Sequence, residues 1–410
     1  MLRETRLGRR RIKVAFINTH PIQYAAPLYS ELGRNHDFSV VAIYLSDFSI
    51  RGAVDRNFKQ NIKWDIDLLS GYEARFVRGA GRRTEPTGFF SMLVPQIWRE
   101  VAKGGFAAVV VHGHTPAAMV LAAAAARLTQ TPVFMRCETH LGLHRSWFKA
   151  WLRRSLLGVY YRMFDGVLAI GSANREFYQA MGVPERRIFM MPYAVDNARF
   201  TATAQLSPGE RQDLRASLGV SDARPIVLYA AKFQRRKRPG DLLRAAARLN
   251  RERLDFHLLI VGSGELEAES QELAASLRLD KIGFSGFINQ AALPRYYGAS
   301  DVFVLPSEDE PWGLAVNEAM CAGLPIVASA EIGCVCDLVR EGINGHTFPA
   351  GNIDALTSVL RSLLRDPERR RTMGAASRAM IAGWSYAECA AGLRAALAGV
   401  GVRGCRGVVA

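Results

Sequence analysis

Cysteine is scarce in this chain of 410 residues, and its six copies show no spacing that would hold a metal ion. Cys334 and Cys336 form one close pair, but a single residue separates them and no second pair completes a zinc or redox site. We therefore expect reduced thiols, and neither a disulfide framework nor a metal site. The remaining cysteines are isolated, at Cys137, Cys321, Cys389 and Cys405.

Long apolar runs are also missing. The most apolar stretch, Ala107 to Ala126, is interrupted by His112, Gly113, His114 and Pro116, which argues against a membrane span. The basic residues 1–11 precede a short apolar run typical of a strand, without a cleavage site, so we expect no secretory signal. These features predict a cytoplasmic protein, soluble or attached peripherally to the inner face of a membrane.

Acidic residues are in the minority. The chain has 38 Asp and Glu against 53 Lys and Arg, for a formal net charge of +15. This excess favours an anionic partner, and composition does not choose between a phosphorylated substrate, acidic lipid and nucleic acid. The length favours two or three domains, and 49% hydrophobic residues are enough to build their cores.

Short apolar runs rich in β-branched residues alternate with helical stretches, which is typical of parallel strands joined by crossover helices. The first series is Ile12–Asn18, Phe38–Tyr44, Ala107–His112, Pro132–Met135, Val167–Ile170 and Ile188–Met191. The second is Ile226–Ala231, Phe256–Val261, Ile282–Ser285, Val302–Leu305 and Ile326–Ala328. We predict an α/β fold with two doubly wound Rossmann-like domains facing across a cleft, hinged near residues 195–224. Ligands bind at the carboxyl ends of such strands.

A basic loop follows the first strand of the second series. It packs five cations into seven positions, from Lys232 to Arg238. Fixed cations there would neutralise a leaving diphosphate, although such a run taken alone is more often a solvated turn.

A second strand ends at Gly262-Ser263-Gly264, where backbone N–H groups can approach a ligand. Glu267 stands where a dinucleotide fingerprint has its third glycine. A nucleotide contact and a plain tight turn therefore both remain open.

A third strand ends before Pro311 and Gly313, which stop it and start a helix. The free N–H groups of Gly313 and Leu314 would form an anion site. Glu310 and Glu318 flank this point. On one continuous helix they would lie about 80° apart, so they can share a ligand only if Glu310 lies in the loop. Two unrelated surface carboxylates are the alternative.

Glu310, Gly313 and Glu318 fall within a run from Phe287 to Gly351. The run is contained in GFINQAALPRYYGASDVFVLPSEDEPWGLAVNEAMCAGLPIVAS and GCVCDLVREGINGHTFPAGN. The run resembles the donor-binding domain of retaining family 4 glycosyltransferases, which have the GT-B fold. The likeness extends more weakly through Lys232–Pro239 to the first strand. It implies transfer of a sugar from a nucleotide-diphosphate sugar to an acceptor hydroxyl with retention of configuration, in polysaccharide, glycolipid or related glycoconjugate synthesis.

The resemblance also implies roles for single residues. Glu310 would bind hydroxyls of the donor sugar, Glu318 would bind the ribose, and the amides of Gly313 and Leu314 would hold the diphosphate. The other predicted donor contacts are Trp312, Gly262, Gly264, Phe287 and Ile288.

The family's arginine and lysine on the basic loop fall on Lys232 and Lys237. Lysine at 232 departs from the usual arginine, which puts a bidentate phosphate contact in doubt. Charge on these side chains would stabilise the leaving diphosphate. We expect no cofactor, and no Asp-x-Asp motif is placed to bind a divalent metal.

The first domain matches less closely, as expected of a domain that binds a variable acceptor. Its opening loop has the His-Pro-Ile-Gln-Tyr sequence of a sub-branch, which makes His20, Gln23 and Tyr24 acceptor-side candidates.

Many relatives carry a catalytic-region histidine where this chain has Glu138, with His140 two residues on. Either could face the anomeric carbon. His112 and His114, at the end of another strand, compete for this role.

We divide the chain into a basic tail (1–11), an acceptor-side domain (12–195), a donor domain (196–382), and a helix and tail (383–410) that pack back on the first domain. The expected partners are the nucleotide-diphosphate sugar and an unidentified acceptor, lipid-linked or glycan, but no nucleic acid. The aromatic and cationic segment Arg145–Phe164 would contact an anionic membrane or dock on its own sheet.

Three rival functions remain. A dehydrogenase with two dinucleotide-like domains is disfavoured, because Glu267 replaces the third glycine of the dinucleotide fingerprint. A GT-B nucleotide-sugar epimerase would release product without an acceptor. A basic nucleic-acid-binding protein would explain the charge but not the spaced glutamates.

Overall fold

The strands of the chain form two separate parallel sheets, one in each half. The computed structural model describes residues 11–34, 37–52, 54–55, 60–82, 88–142, 156–220 and 222–402. The strands of the first half are β1 (Ile12–Asn18), β2 (Phe38–Tyr44), β3 (Val54–Asp55), β4 (Gln60–Asn61), β5 (Glu73–Phe76), β6 (Ala108–His112), β7 (Val133–Arg136), β8 (Gly166–Ala169) and β9 (Ile188–Met190). Those of the second half are β10 (Ile226–Ala230), β11 (His257–Val261), β12 (Ile282–Phe284), β13 (Val302–Leu305), β14 (Ile326–Ser329) and β15 (Gly345–Phe348).

The order of the strands is that of two doubly wound domains. The first sheet runs β5-β2-β1-β6-β7-β8-β9 and the second β12-β11-β10-β13-β14-β15, with parallel pairing throughout. Only the short pair β3 and β4 is antiparallel among the described strands. The predicted α/β architecture with two Rossmann-like domains is confirmed.

Helices cover both sheets. In the first half they span Ala26–Arg34, Phe48–Arg51, Gln96–Lys103, Ala117–Leu128 and Ser172–Ala180. The second half has Asn197–Ala204, Pro208–Ser217, Pro239–Arg251, Glu267–Ser276, Leu293–Ala299, Leu314–Cys321, Val335–Leu338, Ile353–Arg365, Pro367–Ile381 and Tyr386–Gly399. Their apolar faces are buried against the β-branched central strands, because each crossover helix must cover the sheet that it connects.

The eleven strands predicted from apolar runs are all present, each within one residue of its expected ends. The sequence analysis missed the short pair β3 and β4. It also missed β5 and β15, which lie at the edges of the two sheets. Their sequences, EARF and GHTF, lack the run of β-branched residues that marks a central strand. The polar hinge region forms two helices, Asn197–Ala204 and Pro208–Ser217.

The last helix, Tyr386–Gly399, returns to the first domain. Ser385 caps its start in a capping box with Glu388. Its buried side chains, among them Leu393 and Leu397, share one core with β1, β2 and the end of β9. A Cβ atom at Gly392 would lie 1.8 Å from the Met190 carbonyl oxygen, so only glycine allows the helix to approach β9 this closely.

Candidate active site

A cavity of about 280 Å³ opens between the two domains, lined by loops that follow strands of both sheets. This is where open parallel sheets bind ligands. We call it the donor cavity. The predicted site residues that line it are Gln23, Tyr24, Glu138, Lys232, Lys237, Gly262, Phe287, Ile288, Glu310, Trp312, Gly313, Leu314 and Glu318.

Glu310 is fixed by backbone and by charge. It forms an isolated parallel bridge with Ile332 just before the helix Leu314–Cys321, and its carbonyl accepts the Gly333 amide at 3.0 Å. Its carboxylate bonds to the Lys237 ammonium and to Arg236 Nη1 at 3.3 Å. Glu310 therefore lies outside the helix, as sharing a ligand with Glu318 requires, and it carries its own counter-ions.

Glu318 lies inside the helix, on the same cavity. The Tyr297 hydroxyl donates to its carboxylate at 2.7 Å. Burial raises the pKa of Glu318 to about 7, against the opposing effects of the Tyr297 hydrogen bond and the charge of Arg199. This carboxyl is thus poised between its charged and neutral forms near neutral pH.

Two glycines line the donor cavity. Gly313, at φ 99°, begins the helix Leu314–Cys321, and a Cβ there would lie 2.8 Å from Ile332. Gly262, at φ 135°, is tighter, since its Cβ would lie 2.0 Å from the Ala231 carbonyl oxygen. Both positions require glycine. The Gly262 N–H donates to the Gly286 carbonyl at 2.8 Å, whereas the helix start at Gly313 presents backbone N–H groups beside the cavity.

The cations of the basic loop lie in three different environments. Lys232, Arg236 and Lys237 line the cavity, whereas Arg235 is exposed. Arg238 bonds to the carboxylates of Asp241 and Glu308. The run of cations is therefore neither wholly a phosphate site nor wholly a solvated turn.

Glu138 lies at the edge of the donor cavity on the side of the first domain. It accepts hydrogen bonds from the hydroxyls of Tyr24, at 3.1 Å, and Tyr193. Although Glu138 is open to the cavity, the surrounding protein limits its hydration and raises its pKa, and the charge of Glu310 adds to this shift. Tyr24 belongs to the His-Pro-Ile-Gln-Tyr loop, so this loop orients Glu138.

A second cavity of about 270 Å³ adjoins the first and is lined by residues of the first domain. We call it the acceptor cavity. Tyr24, Glu138 and Tyr193 line both cavities, so Glu138 stands at their junction.

Several predicted residues lie away from the donor cavity. His140 is buried, and its Nε2 lies 3.1 Å from the Glu310 carbonyl oxygen, which places it behind the site. His20 bonds to the Thr19 hydroxyl at 2.8 Å and, like His114 and Gly264, lines neither cavity. Of the two alternatives, Glu138 therefore lines the donor cavity and His140 does not.

His112 lines the acceptor cavity. Its Nε2 lies 3.0 Å from the hydroxyl of Tyr29. Burial, assisted by the charge of Arg136, lowers the pKa of His112 to about 3, so the ring is neutral near pH 7.

Trp64 is a donor-cavity residue that the sequence analysis missed. It belongs to the first domain, yet its ring centre lies 6.0 Å from that of Phe287 in the second. A single tryptophan in a polar stretch has no periodic signal, and its partner is far along the chain. Only the folded chain brings the two rings together.

Hydrogen bonds between the domains hold the segment around Trp64. The Asn289 amide donates to the Lys63 carbonyl at 2.8 Å, and the Ala291 N–H donates to the Asp65 carboxylate at 3.0 Å. Trp64 is therefore positioned against the loop that follows β12.

The described part of the predicted membrane segment is 156–164, because residues 145–155 lie outside the described residues. Leu157, Tyr161 and Phe164 are buried in the first core, while Leu156 and Val159 are each 63% exposed. Among the described helices, none is long and apolar enough to cross a bilayer. Nowhere in the described ranges do three or more His, Cys, Asp or Glu side chains form a group that could hold a metal ion.

Family models match both domains. A "Glycosyl transferases group 1" model matches residues 210–380, and a "Glycosyl transferase 4-like domain" model matches residues 21–194. The chain belongs to the group 1 glycosyltransferases. The first-domain match ends at residue 194 and the second-domain match begins at residue 210.

Curated relatives of this group 1 glycosyltransferase include the sulfoquinovosyl transferase SQD2 of Arabidopsis thaliana, 27% identical over 322 residues, or 75% of this chain and 60% of the relative. A D-inositol 3-phosphate glycosyltransferase of Geodermatophilus obscurus is 33% identical over 222 residues, or 52% of this chain and 47% of the relative. The matches thus span half to three-fifths of the relatives' lengths.

Solved structures share the fold. The Anabaena protein HepE in complex with UDP superposes with a TM-score of 0.73 at 18% identity, over 95% of this chain and 100% of that one. Sucrose-phosphate synthase of Thermosynechococcus elongatus gives 0.71 at 22% identity, over 93% and 97%. The fold of the group 1 glycosyltransferase is therefore GT-B, as expected.

Proposed function

We propose that the protein transfers a sugar from a nucleotide-diphosphate sugar to an acceptor hydroxyl with retention of anomeric configuration. The observation that carries the proposal is the meeting of Glu310, Glu318 and the helix start at Gly313 on one cavity between the domains. A spaced pair of unrelated surface carboxylates would not share a cavity with an anion site.

We propose that the donor lies along the cavity, with its base at one end and its sugar at the other. Phe287, Ile288 and Trp64 would contact the base, and Glu318 would accept hydrogen bonds from the ribose. HepE, which shares the fold, has been solved with UDP and with UDP-glucose, and this supports a nucleotide-sugar donor.

The diphosphate would lie at the helix start, facing Lys232. Helix N–H groups and fixed cations stabilise an anion more as its charge grows, and the leaving diphosphate gains charge in the transition state. We propose that this positive charge replaces a divalent metal, so that chelation with EDTA leaves the rate unchanged.

Glu310 and Glu138 would flank the sugar. The bond from the anomeric carbon to the diphosphate breaks with its electron pair on the phosphate oxygen, leaving positive charge on the sugar. The acceptor hydroxyl oxygen then bonds to the anomeric carbon on the same face, and its proton passes to the phosphate oxygen of the leaving group. Glu138 lies at the junction with the acceptor cavity, where the anomeric carbon would meet the acceptor, and as a carboxylate it would stabilise that charge.

A thermal-shift series tests the donor site. UDP, GDP and ADP are compared with the matching nucleosides, since a ligand at 100 times its Kd stabilises a protein by about 2.7 kcal/mol. We expect at least one nucleoside diphosphate to raise the Tm of the wild type and to lose most of this effect in Glu318→Ala. No shift with any diphosphate would refute the proposal. Release of free sugar product without acceptor would instead indicate an epimerase.

We propose further that the acceptor is reached at an anionic membrane surface. Phe89, Phe90 and Leu93 on the first domain are 41%, 78% and 60% exposed, and the chain carries a net charge of +15. Wild type should sediment with anionic vesicles at low salt, and Phe90→Ser should sediment less. Equal binding to neutral vesicles, or none to anionic ones, would contradict this.

A further inference from the structure

The acceptor cavity contains a buried cation. Arg136, at the end of β7, lines this cavity and is 5% exposed. Its Nη2 donates to the Pro192 carbonyl at a long 3.3 Å, and its guanidinium carbon lies 5.4 Å from the centre of the Tyr193 ring. Its Nε and Nη1 atoms have no hydrogen-bond acceptor among the residues that the structure describes.

No carboxylate among the described residues forms a close ion pair with Arg136. His112 is neutral near pH 7, and the Cys389 thiol beside the guanidinium is a weak acceptor whose own hydrogen bond goes to the Pro192 carbonyl. Glu138 is the one carboxylate among the described residues lining the cavity; the charge of Arg136 acts on it, but its hydrogen bonds go to Tyr24 and Tyr193. A buried charge is costly unless it is closely paired, so an anion bound in the cavity would stabilise Arg136.

We propose that the acceptor cavity binds an anionic group of the acceptor, a carboxylate, phosphate or sulfate, through Arg136. The N–H groups on Nε and Nη1 point in different directions, so each can donate a separate charge-assisted hydrogen bond to an oxygen of the ligand. The inference rests on the proposed function, because it concerns the second substrate of the same reaction.

Calorimetric titration of the full chain tests this, with the donor site first saturated with UDP so that anions do not enter it. The probes are glucuronate, glucose 1-phosphate and inorganic phosphate, and glucose is the uncharged control. We expect at least one anion to bind ten times more tightly than glucose, and to lose this advantage in Arg136→Met. Arg136→Lys should keep part of it. Arg127→Met, which changes an exposed arginine of the same domain outside both cavities, should behave as wild type.

The outcomes separate the two proposals. If UDP does not bind, the donor site is wrong and the proposed function fails. If UDP binds but no anion binds better than glucose, the inference alone is overturned. If Arg136→Met does not fold, the wild-type comparison of anions with glucose and the Arg136→Lys variant still decide. A preference for glucuronate over both phosphates would identify an acidic sugar, and the reverse a phosphorylated one.

Discussion

The donor and acceptor cavities differ in how their charged side chains are paired. In the donor cavity, Glu310 already holds Lys237 and Arg236 as counter-ions. In the acceptor cavity, Arg136 lies beside a neutral His112, and its Nε and Nη1 atoms have no hydrogen-bond partner in the part of the chain that the structure describes. The comparison teaches that a cation in the donor cavity has a carboxylate of the chain itself, whereas under our proposal the cation in the acceptor cavity is neutralised by the ligand.

The largest effect should come from Glu310. We expect Glu310→Gln to lower kcat by about 10²–10³-fold with little change in the donor KM, because a contact made mainly in the transition state is lost. Steady-state kinetics measures both constants. Glu308→Gln, which removes a carboxylate that pairs with Arg238 outside the cavity, is the control. A rise in KM alone would make Glu310 a binding residue and weaken the contrast between the cavities.

The second largest effect on the rate should come from Glu138, because it lines both cavities. Glu138→Gln keeps hydrogen bonding to the tyrosines but removes the charge, and we expect kcat to fall about 10²-fold. His140→Gln should lose far less, since His140 contacts the carbonyl of Glu310 and lines neither cavity. If the two variants lose equally, the assignment of Glu138 over His140 is wrong.

Glu318 should act mainly on donor affinity. Glu318→Ala should raise the donor KM about 10- to 100-fold, because a hydrogen bond to a charged group contributes about 1.5–3 kcal/mol. Since the pKa of Glu318 is about 7, its carboxyl is protonated below that pH and ionised above it. The wild-type KM should therefore rise as the pH falls through about 7, and this rise should vanish in Glu318→Gln. A pH profile of KM common to both proteins would exclude this carboxyl as its cause.

Trp64 should give the smallest of these effects. Base–aromatic stacking contributes about 1–3 kcal/mol, and Phe287 would still contact the base, so Trp64→Ala should raise the donor KM about fivefold. Trp64→Phe should restore most of the affinity. An unchanged KM would exclude Trp64 from donor binding and leave Tyr24 and Glu138 among the first-domain residues that line the donor cavity.

The sequence predicted the parts that depend on local patterns. Eleven strands follow from β-branched runs, and the helix start at Gly313 follows from the break that Pro311 and Gly313 impose. The roles of Glu310 and Glu318 came from resemblance to a family. They stay predictions, although the structure brings both residues to one cavity.

The edge strands β5 and β15 could not be found in the same way. An edge strand has only one neighbouring strand, so its sequence needs fewer β-branched residues to be stable. The register with β2 and β14 forms these strands once the central sheet exists.

By itself the sequence determined two α/β domains, the spaced glutamates and an excess of positive charge. The tertiary structure alone decided which charges pair, that Glu138 rather than His140 faces both cavities, and that Trp64 meets Phe287. The reason is physical. Backbone preferences act between near neighbours and are written in short patterns, whereas a contact between distant residues exists only when packing and the exclusion of water bring them together.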